Sequence, residues 1–191
     1  MSAMDQTQPT TDLFGGAMSA LFPPQAQDMS NFREIPDHQE VFTHSSTDQS
    51  IIVEILEYVQ EADDVALKTH YEDLVRDNDV NEGDHMILEA AEMPTHKLAM
   101  SQCKSARYVL GQHKVSKFKE DSKNTVNIHM GLFRIPDFTT DILVTFNDPV
   151  MISSQSSSNQ SVPTNDDRWT VTDFQQLLTS LTINDTGLFG V

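Results

Sequence analysis

The residues with the most evident chemistry are the acids between Phe32 and Phe42, a stretch that reads F-R-E-I-P-D-H-Q-E-V-F. Pro36 fixes its own φ and disfavours helix at the residue before it, so we expect the chain to arrive extended, turn, and leave as a strand. Asp37 and Glu40 then lie where a loop meets a strand. Carboxylates there can form a recognition surface, because loop backbone stays near water, although a turn with solvated acids explains the same spacing.

Sequence motifs of enzymes and metal sites are absent. The seven histidines form no H-E-x-x-H, Cys103 has no C-x-x-C partner, and no Walker loop, G-x-S-x-G or calcium loop occurs. We therefore expect a protein that is not an enzyme and needs no metal or cofactor, although a Ser-His-Asp triad has no fixed spacing. A small-ligand or hydrolytic domain remains an alternative, which would require a deep apolar pocket with converging polar groups.

Charge is distributed unevenly along the chain, whose formal net charge is -17. Residues 28–92 contain 18 Asp and Glu against three Lys and Arg, a net of -15, whereas residues 97–134 contain eight Lys and Arg against two acids, a net of +6. The acidic part repels phosphates, so we expect no nucleic-acid partner. It would attract a basic protein surface, although acidity can also serve solubility alone.

The hydrophobic pattern predicts an α+β protein with a mainly antiparallel sheet of about six strands, flanked by helices. Candidate strands are 17–22, 39–44, 50–59, 85–91, 106–118, 126–135 and 140–146. The stretch 50–59 could also be helical, but its β-branched residues favour a strand. One helix is predicted from Asp63 to Asn78, and a second is expected to begin at Thr170 or Thr172, with a capping box.

The length of 191 residues predicts one compact domain. We assign it to 13–191, with a disordered tail at 1–12 and a flexible loop at 148–167, both polar and without periodicity. The single Cys103 favours a reducing compartment. No apolar run approaches the roughly 20 residues of a spanning helix, so a soluble intracellular protein without membrane insertion is expected.

Three blocks occur in an order that resembles the Mog family, the Ran guanine nucleotide release factors. They are L-F-G-G-A-M-S-A-L-F-P-P at 13–24, T-D-Q-S-I-I-V-E-I-L-E at 47–57 and L-F-R-I-P-D-F-T-T-D-I-L-V-T-F-N at 132–147, followed by L-F-G at 188–190. The family's P-D-x-Q-E motif contributes to its Ran-binding surface and stands here at 36–40, which implies Ran contacts at Asp37 and Glu40. The probable Ran-contact region is 31–74, and the weaker candidates are Asp28, just before it, and Arg33, Glu34 and Glu54 within it. Arg33 could instead pair with a neighbouring acid.

The resemblance also implies a fold and a function. The fold would be an antiparallel sheet between helices, similar to the photosystem oxygen-evolving subunit. The function would be that of a monomer in nucleus and cytoplasm that binds Ran, promotes guanine nucleotide release and influences nuclear transport. For vertebrate relatives it implies delivery of the cardiac voltage-gated sodium channel to the cell surface, through a cytoplasmic channel loop at the membrane periphery. A trafficking adaptor with weak Ran binding is the alternative.

Overall fold

The main structural element is a seven-stranded antiparallel sheet, which a three-stranded sheet and two helices accompany. The computed structural model describes residues 9–115, 124–151 and 167–190. The strands are β1 (Thr11–Leu13), β2 (Met18–Ala20), β3 (Ala26–Asp28), β4 (Gln39–His44), β5 (Ser50–Glu57), β6 (His85–Met93), β7 (Ser105–Val115), β8 (Asn124–Ile135), β9 (Thr140–Met151) and β10 (Thr182–Ile183). The helices are α1 (Asp63–Asp77) and α2 (Val171–Ser180).

The large sheet has the strand order β3-β4-β5-β9-β8-β7-β6, and the small sheet has the order β1-β2-β10. The stretch around β5 is a strand, as its β-branched residues predicted, and it pairs with β4 on one side and β9 on the other. The predicted hairpin of β8 and β9 is confirmed, and these two strands lie near the centre of the sheet.

Different elements cover the two faces of the large sheet. Successive strand residues point to opposite faces. Leu132 and Leu143 pack with α1, whereas the next residues, Phe133 and Val144, belong to a core shared with α2 and the small sheet. The predicted α+β class, with helices on a mainly antiparallel sheet, is confirmed, and the large sheet has one strand more than the six or so expected.

Two glycines in the long strands let the helices approach the sheet. On one face the ring of Tyr71 in α1 lies over Gly111, where an added Cβ would overlap the ring. On the other face Leu178 in α2 lies over Gly131, where a Cβ would be 2.7 Å from a Leu178 methyl carbon. Both strand positions therefore exclude a side chain for reasons of packing.

Helix α2 begins at one of the two predicted caps. The hydroxyl of Thr170 accepts a hydrogen bond from the N–H of Asp173 at 3.2 Å, and the Asp173 carboxylate accepts one from the N–H of Thr170 at 2.7 Å. This reciprocal pair is a capping box. Trp169, just before it, is buried in the core and donates its indole N–H to the carbonyl of Pro24 at 2.7 Å.

A buried ion network ties α1 to the central strands. The guanidinium of Arg134 in β8 is 1% exposed and donates to Asp141 at 3.2 Å and to Asp63 at 2.8 Å. Nε2 of His70 lies 2.9 Å from the other Asp141 oxygen. Burial alone would lower the pKa of Arg134, but hydrogen bonds to the two carboxylates hold this pKa above its ordinary value. We call these four residues the Arg134 network.

Two of the predicted boundaries are wrong. Thr11 and Asp12 are not part of a tail, because they pair with β2 as strand β1. The segment 148–151 is not loop, because β9 continues to Met151 beside β8. The remainder of the predicted tail (1–8), most of the predicted loop (152–166) and the end of the predicted strand 106–118 (116–118) lie outside the described residues.

Candidate functional site

The turn at Pro36 is anchored to the sheet on both sides. The N–H of Gln39 donates to the carbonyl of Pro36 at 2.9 Å, which closes the turn over Asp37. The N–H of Ile55 in β5 donates to the carbonyl of His38 at 2.9 Å. The exposed Asp37 is therefore presented by a backbone that the adjoining strands hold in place.

A strained turn faces this loop. Phe14, Gly15 and Gly16 have φ values of 50°, 66° and 90°, and a positive φ is uncommon for a bulky residue such as phenylalanine. The N–H of Phe14 donates to Oε1 of Glu40 in β4 at 2.6 Å, so this carboxylate stabilises the turn. Backbone strain of this kind often occurs at functional sites.

Between the turn and the loop lies a groove of about 640 Å³, which we call the acidic groove. The described residues that line it include four with carboxylates and four with apolar side chains, and none of them is a lysine or arginine. The lining residues are Asp12, Phe14, Gly15, Gly16, Asp28, Ser30, Ile35, Pro36, Asp37, Gln39, Glu40 and Leu188. The combination suits a cationic side chain with an apolar stem.

The carboxylate of Glu40 is partly buried in the acidic groove. Partial burial raises its pKa; the hydrogen bond from Phe14 lowers it, and the nearby charge of Asp28 raises it again, so that the net effect is upward. A cation that entered the groove would reverse this effect, because an opposite charge favours the ionised carboxylate. Asp28 also caps the next short turn, since its Oδ1 accepts from the N–H of Ser30 at 2.8 Å.

Three of the six predicted contact residues lie in the acidic groove, and three do not. Asp28, Asp37 and Glu40 line it, whereas the exposed Arg33 and Glu34 are in the preceding loop. Within the described part of the chain, Arg33 forms none of the ion pairs expected for it with Glu34 or Asp37. Its role in Ran contact stays a prediction.

The sixth candidate, Glu54, lies on the opposite face of the sheet. In the sheet Glu54 lies opposite Gln39 of β4, whose side-chain amide donates to Oε1 of Glu54 at 2.7 Å. On its other side Glu54 lies opposite Leu143 of β9, which packs with α1. Glu40 pairs instead with Val53, which belongs to the α2 side. The predicted contact region 31–74 therefore spans both faces and does not form one surface.

Sequence reasoning missed the other half of the acidic groove. Asp12 was placed in a tail, and Gly15 and Gly16 were used only as part of the family-like block at 13–24, not as part of the site. The signal was the tripeptide L-F-G, which occurs at Leu13 and again at Leu188. The structure brings both copies to one side of the molecule, where Phe14 and Leu188 line the groove.

Other chemistry is not evident in the described ranges. Within 9–115, 124–151 and 167–190, no group of three or more His, Cys, Asp and Glu residues is placed to hold a metal ion. Burial raises the pKa of the Cys103 thiol to about 11, so it stays protonated at neutral pH. None of the helices described is long and apolar enough to cross a membrane.

Comparison with known proteins finds extensive similarity. Residues 11–149 match the family model described as Mog1, the Ran-interacting Mog1 protein. The chain is 49% identical over 186 residues to the Ran guanine nucleotide release factor of Danio rerio, covering 93% of this chain and 98% of the relative. It is 31% identical over 189 residues to the nuclear import protein mog1 of Schizosaccharomyces pombe, covering 93% and 98%. The crystal structure of the Saccharomyces cerevisiae Ran-binding protein Mog1p is similar with a TM-score of 0.69 and 27% identity, covering 95% of this chain and 97% of that one.

Proposed function

We propose, since this chain belongs to the Mog1 family, that it binds the GTPase Ran through the acidic groove and promotes release of guanine nucleotide. It would act as a monomeric regulator of nucleocytoplasmic transport, in nucleus and cytoplasm, and not as an enzyme. The observation that carries the proposal is the concentration of four carboxylates in a groove where none of the described lining residues is a lysine or arginine. Two of them, Asp37 and Glu40, belong to the motif P-D-x-Q-E.

The acidic groove suits a basic side chain of the partner. Asp37 is exposed at the rim and would meet a positive surface first, which raises the association rate. Glu40 lies deeper, and only its Oε1 is bonded by Phe14, so that its second oxygen can accept from a lysine or arginine. Phe14, Ile35 and Leu188 provide apolar contacts for the stem of that side chain.

A mechanism for nucleotide release follows from the charge of the bound state. GTPases hold nucleotide through a P-loop lysine and Mg²⁺ that neutralise phosphate charge. A carboxylate of the acidic groove that competes for the lysine, or that disturbs the metal, would weaken nucleotide binding. By thermodynamic linkage, nucleotide would weaken the complex by the same factor.

The test is the release of fluorescent guanine nucleotide from Ran, in the presence of wild type and of two charge-reversal variants. Asp37→Lys changes the acidic groove. Asp137→Lys is the matched control, because Asp137 follows a proline in the same tripeptide I-P-D but does not line the groove. We expect wild type and the control to accelerate release and Asp37→Lys to lose the effect. Equal acceleration by all three would move the site elsewhere, and no acceleration by the folded wild type would refute the function.

The resemblance supports a second candidate, an adaptor that helps to deliver the cardiac voltage-gated sodium channel to the cell surface. The net charge of -17 suits a basic cytoplasmic loop of the channel and would bring the protein to the membrane periphery. Pull-down with the channel loop tests this role. Binding that survives Asp37→Lys would separate it from Ran binding, and failure of the wild type to bind would exclude it.

A further inference from the structure

The two edges of the large sheet differ in character. One edge is β3, which has only three residues. The other is β6, which has nine, and within the described residues no strand pairs with its outer side. Natural proteins keep sheet edges short, charged or covered, because unpaired backbone N–H and C=O groups can pair with another chain. The edge at β6 is neither short nor covered by a strand of the described residues, and acids and a bulge are the only protection it shows.

Strand β6 exposes three large apolar side chains in succession. Met86, Ile87 and Leu88 are 51%, 47% and 51% exposed. The register with β7 shifts between Ile87 and Glu89, so Leu88 is the extra residue of a bulge. A run of exposed apolar residues on an open edge is a feature of surfaces that bind another protein segment.

The edge is held in position by α1. The hydroxyl of Tyr71 donates to the carbonyl of Met86 at 3.1 Å, and its ring lies over Gly111 in the neighbouring strand. His113 Nε2 lies 3.2 Å from the same hydroxyl. Because these contacts fix the backbone before any partner arrives, pairing with a new strand would require little further ordering of the protein.

The charge of the β6 edge favours a basic partner segment over a second copy of this chain. Residues 82–93 contain Glu82, Asp84, Glu89 and Glu92 and no lysine or arginine, a net of -4, which Arg107 of the neighbouring strand reduces because it lies 3.8 Å from Glu92. A second copy of this chain would bring the same acids against them, and like charges opposed across a pairing are unfavourable. A basic segment would bring complementary charge, while its apolar residues would contact Met86 to Leu88.

We propose that β6 is a docking edge for a basic, extended segment of a partner protein, which adds to the sheet as a further strand. The edge is separate from the acidic groove, which lies at β3 and β4. Six strand spacings of about 4.8 Å separate β3 from β6, roughly 29 Å, so both surfaces can be occupied together.

The experiment measures fluorescence anisotropy of a labelled synthetic peptide of alternating lysine and valine, titrated with the full chain. The control peptide has the same residues but methyl groups on two adjacent backbone nitrogens, which block strand pairing at both of its edges. We expect the first peptide to bind and the control to bind about tenfold more weakly or not at all. Equal binding of both would mean that charge alone attracts them and would overturn the proposal.

Protein variants locate the site. Leu88→Lys places on β6 a positive charge like those of the peptide lysines, removes an apolar contact, and should weaken peptide binding about tenfold. Val171→Lys is the matched control, because Val171 is an exposed apolar residue on α2, on the other face of the sheet, and it should leave binding unchanged. Equal affinities for both variants would overturn the assignment to β6. Circular dichroism checks that each variant is folded.

Sedimentation velocity of the wild type distinguishes the competing occupant. A monomer over the working concentrations, together with peptide binding, supports a basic partner. Self-association that Leu88→Lys abolishes would assign the edge to a second copy and refute the proposal. Nucleotide release from Ran should be the same for Leu88→Lys and wild type, so this result is independent of the function proposed for the acidic groove.

Discussion

The tripeptide I-P-D occurs twice in this protein, at Ile35–Asp37 and at Ile135–Asp137, and the two copies have different surroundings. The local turns are alike, because an N–H three residues beyond each proline donates to its carbonyl, at 2.9 Å from Gln39 and 3.0 Å from Thr139. Similar local sequence therefore produces similar local structure. The difference lies in what the arginine and the acids around each turn contact.

Charge near the second copy is compensated in the interior. Arg134 donates to two carboxylates of the Arg134 network, to the backbone carbonyls of Val59 and Glu61, and its guanidinium carbon lies 4.1 Å from the centre of the Tyr58 ring. Near the first copy Arg33 is exposed, and four carboxylates line the acidic groove with no lysine or arginine among its described lining residues. Acids with compensating partners stabilise the fold, whereas acids without them are available for a partner.

The largest expected effect is on stability, from Arg134→Met. Removal of the guanidinium leaves the fully buried Asp141 with His70 and the Val59 N–H but without its arginine, which should cost about 3–5 kcal/mol. Urea denaturation measures this loss. Arg33→Met is the matched control and should change the free energy of unfolding by less than about 0.5 kcal/mol, because its side chain is exposed. Similar losses for the two variants would contradict the distinction between the two copies.

The next effect is on binding, from Glu40→Lys. Reversal of this charge should weaken Ran binding by more than about 1.4 kcal/mol, as measured by titration calorimetry, because the carboxylate is partly desolvated. Loss of the bond to Phe14 could also disturb the turn. Glu40→Gln retains an oxygen acceptor for that N–H and removes only the charge, so it should also weaken binding. An unchanged affinity for both variants would exclude Glu40 from the interface.

A smaller effect concerns pH. Because the folded-state pKa of Glu40 is raised above 4.5, the unfolded state binds fewer protons above that pH, and the ionised carboxylate destabilises the fold at neutral pH. Glu40→Gln should therefore be more stable than wild type at about pH 7, but by only about 0.5 kcal/mol or less because solvent screens this partly exposed carboxylate, and the difference should shrink as the pH falls through the raised pKa. Urea denaturation across pH measures both values. A variant less stable than wild type at neutral pH would contradict this sign.

Asp63 in the Arg134 network should show the opposite sign. Burial raises the pKa of Asp63. The hydrogen bonds and charges of Arg134 and its neighbours outweigh this effect and bring the pKa of Asp63 below 3.8. Its stabilising contribution is therefore present above 3.8 and is lost as the pH falls through the lowered pKa. Asp63→Asn should remove that acid transition while leaving the Glu40 response intact, as followed by stability measurements between about pH 5 and pH 2.

The smallest effect is expected for the exposed ion pair of the second copy. Nζ of Lys104 lies 3.5 Å from Asp137, and both side chains are more than half exposed. Lys104→Ala should change the free energy of unfolding by less than about 0.5 kcal/mol, because solvent screens such pairs. Thermal denaturation at low and high salt measures this contribution. A salt-dependent loss above about 1 kcal/mol would show that this acid, too, is structurally compensated.

The sequence allowed part of the candidate site to be predicted. The turn at Pro36 and the start of β4 at Gln39 were predictable, because proline stereochemistry and alternation act over a few residues. The position of Glu54 was not, because it depends on the register of β4 against β5, and a register error of one residue moves a side chain to the other face. Asp12 and Leu188 could not be assigned to the groove, since their proximity to Glu40 depends on tertiary contacts far apart in the chain.

The sequence by itself determined the local elements of this protein, its acidic charge and its family resemblance. Helix α1, the cap of α2 at Thr170 and the hairpin of β8 and β9 all follow from interactions between residues close in the chain. The tertiary structure alone decided which acids share a groove, which two acids pair with the buried Arg134, and which strand is left at an open edge. The reason is physical: pKa values, burial and exposed edges depend on the packing of distant segments, and packing is absent from any short window of sequence.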